Sequence, residues 1–433
     1  METKEPITTK ITNSISLKLV VILFLILLLQ IPLSYVRSLI YERQELQYQA
    51  QAKISQRWGG QQSVGAPFVT YETINNSYKI IDDKKVFEDQ IVDKAILSET
   101  VSFDLNIDAE KRYLGIYEAA VFKSEISIKG HIDLNVVDTY ELTNSNSTLK
   151  FFIPIQEMKG LKKIRKLLIN GKPRKLSKRQ IHFNQFTGLV VDLGYDAKIQ
   201  SIVYDIEIDL AGSQQFDILP IAGDTSVEMR SSWPSPSFIG DFLPEQRNIS
   251  DSGFQAHWQV NELNHNLGRV IYPNKEINYN IPHFGVKIHI PANIYQVNQR
   301  TVKYSFLIIL LTFAGFFLAE LFFRLRLHPF QYLLIGVSLS VFYLLLLSVS
   351  EFLSFSISFI ASAASIIVLI AGYCSVVLGQ RIRGIYTGIL FTLLYGFIYV
   401  LVNAEQMSLL MGSIGIWIFL SLVMYITRKI DWY

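Results

Sequence analysis

Two hydrophobic patterns divide this chain. At 19–36, 304–323, 332–349, 355–378, 385–402 and 409–426 apolar residues run on almost without interruption. A helix needs roughly 20 mainly apolar residues to cross a bilayer, so six transmembrane helices are expected. Between about 67 and 295 the pattern changes to period two. AVFKSEISIKGHIDLN (120–135), SIVYDIEIDL (201–210) and FGVKIHI (284–290) alternate apolar and polar residues, as half-buried strands do. Asn170-Gly171 falls between two such runs and predicts a tight hairpin. The stretch 41–58 is rich in Gln, Glu and Ala, with no Gly or Pro. It predicts a helical stalk continuing the first span, stopped by Gly59-Gly60.

The expected fold is a membrane protein: a six-helix α transmembrane bundle plus a large extracytoplasmic antiparallel β-sandwich-like domain. Its expected segments are a cytoplasmic tail and anchor helix (1–40), a helical stalk (41–60), a β-rich domain (61–300) and a five-helix bundle (301–433).

Charge orients the spans, because Lys and Arg favour the cytoplasmic side of short loops. Lys4, Lys10, Lys18, Arg324, Arg326, Arg381, Arg383, Arg428 and Lys429 all fall on one side if both termini are cytoplasmic. The alternate short loops, 350–354 and 403–408, carry only Glu351 and Glu405. Arg37, Arg43, Arg300 and Lys303 run against this bias. They flank a long segment, where the bias is weak. The first run contains Pro32, and 34–40 offers no small-x-small cleavage site. It reads as a retained anchor. The segment from about 37 to 303 is therefore expected outside the cytoplasm, which in a bacterium means the periplasm or outer surface.

Composition agrees. Half of the 433 residues are hydrophobic and only 18% are charged, against about 25% in soluble domains. A net charge of +3 argues against wholesale nucleic-acid binding. The single cysteine, Cys374, allows no intrachain disulfide. No G-x-S-x-G, H-E-x-x-H, Walker A, G-x-G-x-x-G or C-x-x-C motif occurs, and no cofactor is expected. His283 and His289 would share a strand face, yet a zinc site would need two more ligands.

Several segments together resemble the CreD family of bacterial inner-membrane proteins, also called cell envelope integrity proteins. They include RTVKYSFLIILLTFAGFFLAE (300–320), HPFQYLLIG (328–336), FYLLLLSVSE (342–351), LLYGFIYVL (393–401), LLMGS (409–413) and TRKIDWY (427–433). The middle of the chain adds LGIY (114–117), SSWPSPSFIGDFLPE (231–245) and GFQAHWQV (253–260). The chain departs from the family pattern at Glu405-Gln406, where an acidic pair is usual. The resemblance implies an envelope-stress-linked inner-membrane protein of no agreed enzymatic activity.

Three acids are candidate functional residues: Glu320, Glu351 and Glu405. Intramembrane acids are costly and often functional. Glu320 lies four residues before Arg324, an i,i+4 spacing that would satisfy it locally. Glu351 and Glu405 end spans in loops with no basic residue, and Glu351 has Ser348, Ser350, Ser354, Ser356 and Ser358 around it. Each is expected to approach the other, or Arg300 and Lys303. The run 159–179 holds ten Lys and Arg and no acid. Its Lys162, Lys163, Arg165 and Lys166 are candidate contacts for anionic lipids or envelope polymers. The small-residue run 361–365 suggests close helix packing. Trp233, Phe238 and Phe242 suggest either a partner or glycan surface, or a packed corner.

The favoured function is a non-enzymatic envelope protein that binds a component or partner through its exported domain. The alternatives are a transporter or flippase, or a membrane enzyme acting on lipid-linked substrates, with Glu351 and Glu405 as the working acids. The lipid bilayer is the one certain partner of such a chain; oligomeric state is not encoded in these patterns.

Overall fold

The computed structural model describes residues 15–81, 84–137, 149–177, 181–183, 185–194, 199–265, 267–272, 281–288, 290, 294–323, 327–404 and 407–428. The chain forms two compact units, Met1–Leu46 with Ala292–Tyr433, and Gln47–Pro291.

The first unit is helical. It contains α1 (Ile15–Leu28), the first part of α2 (Gln30–Trp58), α3 (Ile294–Lys303), α4 (Ser305–Phe323), α5 (Pro329–Ser350), α6 (Phe355–Val377), α7 (Arg381–Asn403) and α8 (Ser408–Thr427). Among the described residues, five stretches are long and apolar enough to cross a membrane, and α8 adds a shorter apolar helix, Leu410–Tyr425. The break between α1 and α2 at Leu29 has a local cause. Pro32 has no N–H to bond the Leu28 carbonyl four residues back, and its ring crowds that carbonyl. Pro32 is tolerated because it falls in the first turn of α2.

The spans meet through small residues and aromatic rings. A Cβ on Gly384 would lie 2.6 Å from Ser375 Cβ and 2.7 Å from the Ala371 carbonyl. One turn on, a Cβ on Gly388 would lie 3.3 Å from Ala371 Cβ. This G-x-x-x-G spacing lets α7 approach α6 closely. On α6 the buried stripe includes Ser358, Ser362 and Ala363, so part of the 361–365 run does face inward. Phe342, Phe359 and Tyr395 pack against one another edge-to-face or tilted between α5, α6 and α7.

The second unit is mainly β. Its largest sheet has eight strands, in the order Gln246–Ser250, Gly253–Asn261, Asp224–Ser231, Thr100–Leu114, Tyr117–Asp133, Ser201–Ser213, Leu161–Ile169 and Lys172–Pro173. A six-stranded sheet centres on Lys84–Leu97, Phe68–Ile81, Leu149–Pro154 and Phe186–Gly194. A four-stranded sheet joins Gln62–Gly65, Gln215–Leu219, Phe284–Ile288 and Pro236–Gly240. Antiparallel pairing dominates, but Gln62–Gly65 runs parallel to Gln215–Leu219, and Asp224–Ser231 parallel to Thr100–Leu114.

Period-two sequence becomes two-faced structure here. Along Thr100–Leu114, Val101, Phe103, Leu105 and Ile107 are buried, while Ser102, Asp104, Asn106 and Asp108 are exposed. The core gathers Phe68, Phe103, Phe122, Phe151, Phe152, Tyr204 and Trp258. The Asn170-Gly171 hairpin is present, with φ of 51° and 71°. Both values suit the tight turn, and Gly or Asn adopts them at little cost. Trp233 is buried, Phe238 packs on Phe254 and Trp258, and Phe242 packs on Phe284. That segment is a packed corner.

Candidate functional site

Glu320 lies in the last turn of α4 and is 6% exposed. The chain then returns as α5, whose start is set by HPFQY. His328 Nδ1 accepts from Phe330 N, the Gln331 side chain accepts from His328 N, and Pro329 fills the first helical position. This capping box fixes where α5 begins. It thereby aims Tyr332 back at Glu320. Tyr332 Oη donates to Glu320 Oε2 at 3.2 Å, and Leu327 N donates to Oε1 at 2.7 Å. Lys18, from α1, completes the set with Nζ 2.6 Å from Oε1. The buried carboxylate thus has a cation and two further donors, the condition under which a buried charge is tolerated. Arg324, the expected partner, lies outside the described residues; the cation described here comes from the other end of the chain.

Glu351 caps the C-terminus of α5. Arg43 Nε of α2 lies 3.6 Å from Glu351 Oε1, and Tyr295 Oη of α3 donates to the same oxygen at 3.4 Å. Beside it, Asn298 Nδ2 donates to Ser350 Oγ at 2.9 Å. Three of the nearby serines bond elsewhere than to Glu351. Ser350 donates to the Leu347 carbonyl, Ser358 to the Ser354 carbonyl, and Ser356 accepts from Tyr399. Glu405 lies outside the described residues.

Both described candidate acids, Glu320 and Glu351, are therefore held by a basic residue of the N-terminal helices, Lys18 of α1 or Arg43 of α2, and by a tyrosine of another helix. Neither cation was singled out as a partner by the sequence patterns. The signal available was position: Lys18 sits at the start of the first apolar run and Arg43 shortly beyond its end. Arg300 and Lys303, with Arg37 and Tyr41 of α2, line an open cleft of about 670 Å³ in the same unit.

The basic run lies in the other unit. Leu161–Ile169 is a strand paired with Ser201–Ser213, with irregularities between Glu207 and Ile208 and between Asp209 and Leu210. Arg165 and Lys162 are the extra residues at these bulges, where a side chain is re-aimed. Arg165 meets Glu125 and Asp209, and Lys166 meets Asp205. Those carboxylates raise the pKa of both cations, Glu125 first for Arg165 and Asp205 first for Lys166. Lys162 and Lys163 are exposed. The structure brings Arg165 and Lys166 to acids and leaves Lys162 and Lys163 toward solvent. Among the described residues, no three of His, Cys, Asp and Glu gather as a metal site; His289 lies outside them.

Comparison with known proteins adds the family. The family model described as inner membrane protein CreD matches residues 14–433. The inner membrane protein CreD of Escherichia coli strain K12 is 33% identical over 417 residues, which cover 94% of this chain and 91% of that protein. Among solved structures, two of an M1 zinc metallopeptidase from Deinococcus radiodurans align with 37% of this chain and 38% of theirs, at 6% identity and TM-scores of 0.21 and 0.19. A likeness that slight carries no argument about fold or activity. Whole-length family match, one-third identity and apolar helices agree: the chain belongs to the CreD family and is a multi-pass protein of the inner membrane.

Proposed function

We propose that this protein supports cell-envelope integrity without catalysing a reaction, with both termini in the cytoplasm and its β unit outside it, where that unit binds an envelope component or partner. The orientation rests on the Lys and Arg bias of the short loops. One structural observation carries the non-enzymatic reading. The two described acids among the three candidates, Glu320 and Glu351, are each engaged by a cation and a tyrosine. A coupling acid or general base must exchange protons or ligands. An acid bonded in this way serves instead to tie helices together.

The test separates charge from fastening. In a strain lacking the gene, paired variants Lys18→Met with Glu320→Gln, and Arg43→Met with Glu351→Gln, should restore tolerance to envelope stress. Each pair removes both charges but keeps an acceptor for the tyrosine, and removing both partners is often near neutral. If either pair accumulates in the membrane at wild-type level yet restores no tolerance, the carboxylate itself works, and a transport or enzymatic reading replaces this one.

A further inference from the structure

Four cations flank the long middle segment on the side that the charge bias disfavours: Arg37, Arg43, Arg300 and Lys303. Arg43 meets Glu351. Arg37, Arg300 and Lys303 come together around one cleft. Arg37, Tyr41, Gln296, Gln299, Arg300 and Lys303 line one open cleft of about 670 Å³, and none of these described residues is acidic.

The cleft follows from helical spacing. Residues three or four apart share a helix face. Arg37 and Tyr41 are one such pair on α2. Gln296, Gln299, Arg300 and Lys303 form such a stripe on α3, opposite its buried residues Tyr295, Val297, Asn298, Thr301 and Val302. One turn beyond Tyr41, Gln44 accepts a hydrogen bond from Gln299 at 2.6 Å. That bond fixes the two stripes in register.

Position completes the case. Arg37 directly follows the apolar run 19–36, and Lys303 directly precedes 304–323. The three cations thus lie where hydrocarbon gives way to headgroups, and Tyr41, 57% exposed, is the aromatic type enriched at that level. Arginine forks match phosphate oxygens in pairs, and lysine adds a point charge. The glutamines supply neutral donors.

We infer that this cleft binds the phosphate of an anionic phospholipid headgroup, held by Arg37, Arg300 and Lys303. It would explain why three cations persist against the charge bias. That part of the case rests on the orientation proposed above; the binding does not, because lipid retention in detergent is blind to leaflet, so the two can fail separately.

The test uses the full chain, delipidated in detergent, with lipid occupancy read by native mass spectrometry and thermal stability read in parallel. Phosphatidylglycerol should bind at least about tenfold more weakly to Arg37→Gln/Arg300→Gln/Lys303→Gln than to wild type, as expected when charge-assisted bonds are lost. Arg37→Lys/Arg300→Lys, which keeps the charge but loses the paired fork, should bind more tightly than the triple variant and more weakly than wild type. Wild-type binding should weaken as salt rises, since exposed charges are screened. Wild-type affinity for phosphatidylethanolamine equal to that for phosphatidylglycerol, or salt-independent binding, would overturn the proposal even if the triple variant failed to fold. So would undiminished binding by a folded triple variant. Inorganic phosphate should stabilise the protein less than phosphatidylglycerol does. Stabilisation by phosphate alone would assign the cleft to a soluble ion and overturn the lipid.

Discussion

The two units of this protein use ion pairs in opposite ways. On the large sheet, pairs are numerous and wet: Arg165 with Glu125 and Asp209, Lys166 with Asp205, and Arg230 with Asp104. In the helical unit the pairs through Glu320 and Glu351 have acid side chains only 5% and 11% exposed. Exposed pairs contribute little, because water and salt screen them and two long side chains must be ordered. A buried carboxylate that loses its partners remains a desolvated charge, or leaves orphaned donors behind. The same chemistry therefore decorates one unit and fastens the other.

The strongest way to break this contrast is Glu320→Ala. It strips Lys18, Tyr332 and the Leu327 amide of their shared acceptor. A loss of about 2–3 kcal/mol is expected, held below the full buried-pair cost because Lys18 is partly exposed. Thermal unfolding of the detergent-solubilised chain would read it as a clear fall in melting temperature. Should the variant melt with wild type, Glu320 fastens nothing.

A smaller effect, of opposite sign, is expected at Asp217 in the four-stranded sheet. Burial raises its pKa above the ordinary aspartate value of 3.8, partly offset by the Gln215 hydrogen bond and by nearby His283. Its folded-state pKa thus exceeds the unfolded one. Ionising Asp217 therefore costs stability as pH rises from 3.8 through the raised value, and costs nothing below that window. Asp217→Asn should melt slightly higher than wild type at pH 7 and together with it near pH 3.5. A variant less stable at pH 7 would show that the carboxylate contributes more than its burial removes.

Smallest of all is Arg165→Gln. Despite its two acidic neighbours, Arg165 is exposed, and no measurable shift in melting temperature is expected. A drop comparable to that of Glu320→Ala would erase the distinction between the two units.

How much of this was legible in the sequence depends on the range of the interaction. Spans and strands are local facts. An apolar run or a period-two run states its own environment, so the helices and strands such as Ser201–Ser213 stood out. The Asn170-Gly171 turn did too, since its φ values belong to those two residues. Sheet membership is not local. Nothing in Gln62–Gly65 announces a parallel partner at Gln215–Leu219, so three sheets could not be told from two. The candidate site failed for the same reason. Lys18 and Glu320 are 302 positions apart, and local spacing pointed to a nearer cation. Likewise, the basic run 159–179 contains no acid, yet its strand partner brings Asp205, Glu207 and Asp209 alongside it. The Gly384-x-x-x-Gly388 spacing was readable, though masked by the more conspicuous small residues at 361–365.

Cys374 is the chain's sole thiol, and it is 2% exposed among the side chains between α6 and its neighbours. This gives the protein a nearly blank background for sulfhydryl labelling. A single cysteine introduced at Lys172, beside the hairpin turn, or at Arg381, at the start of α7, would be the one thiol a bulky maleimide could readily reach. Native protein thus comes ready for site-by-site accessibility mapping in intact cells, without first removing a residue from the packed interior.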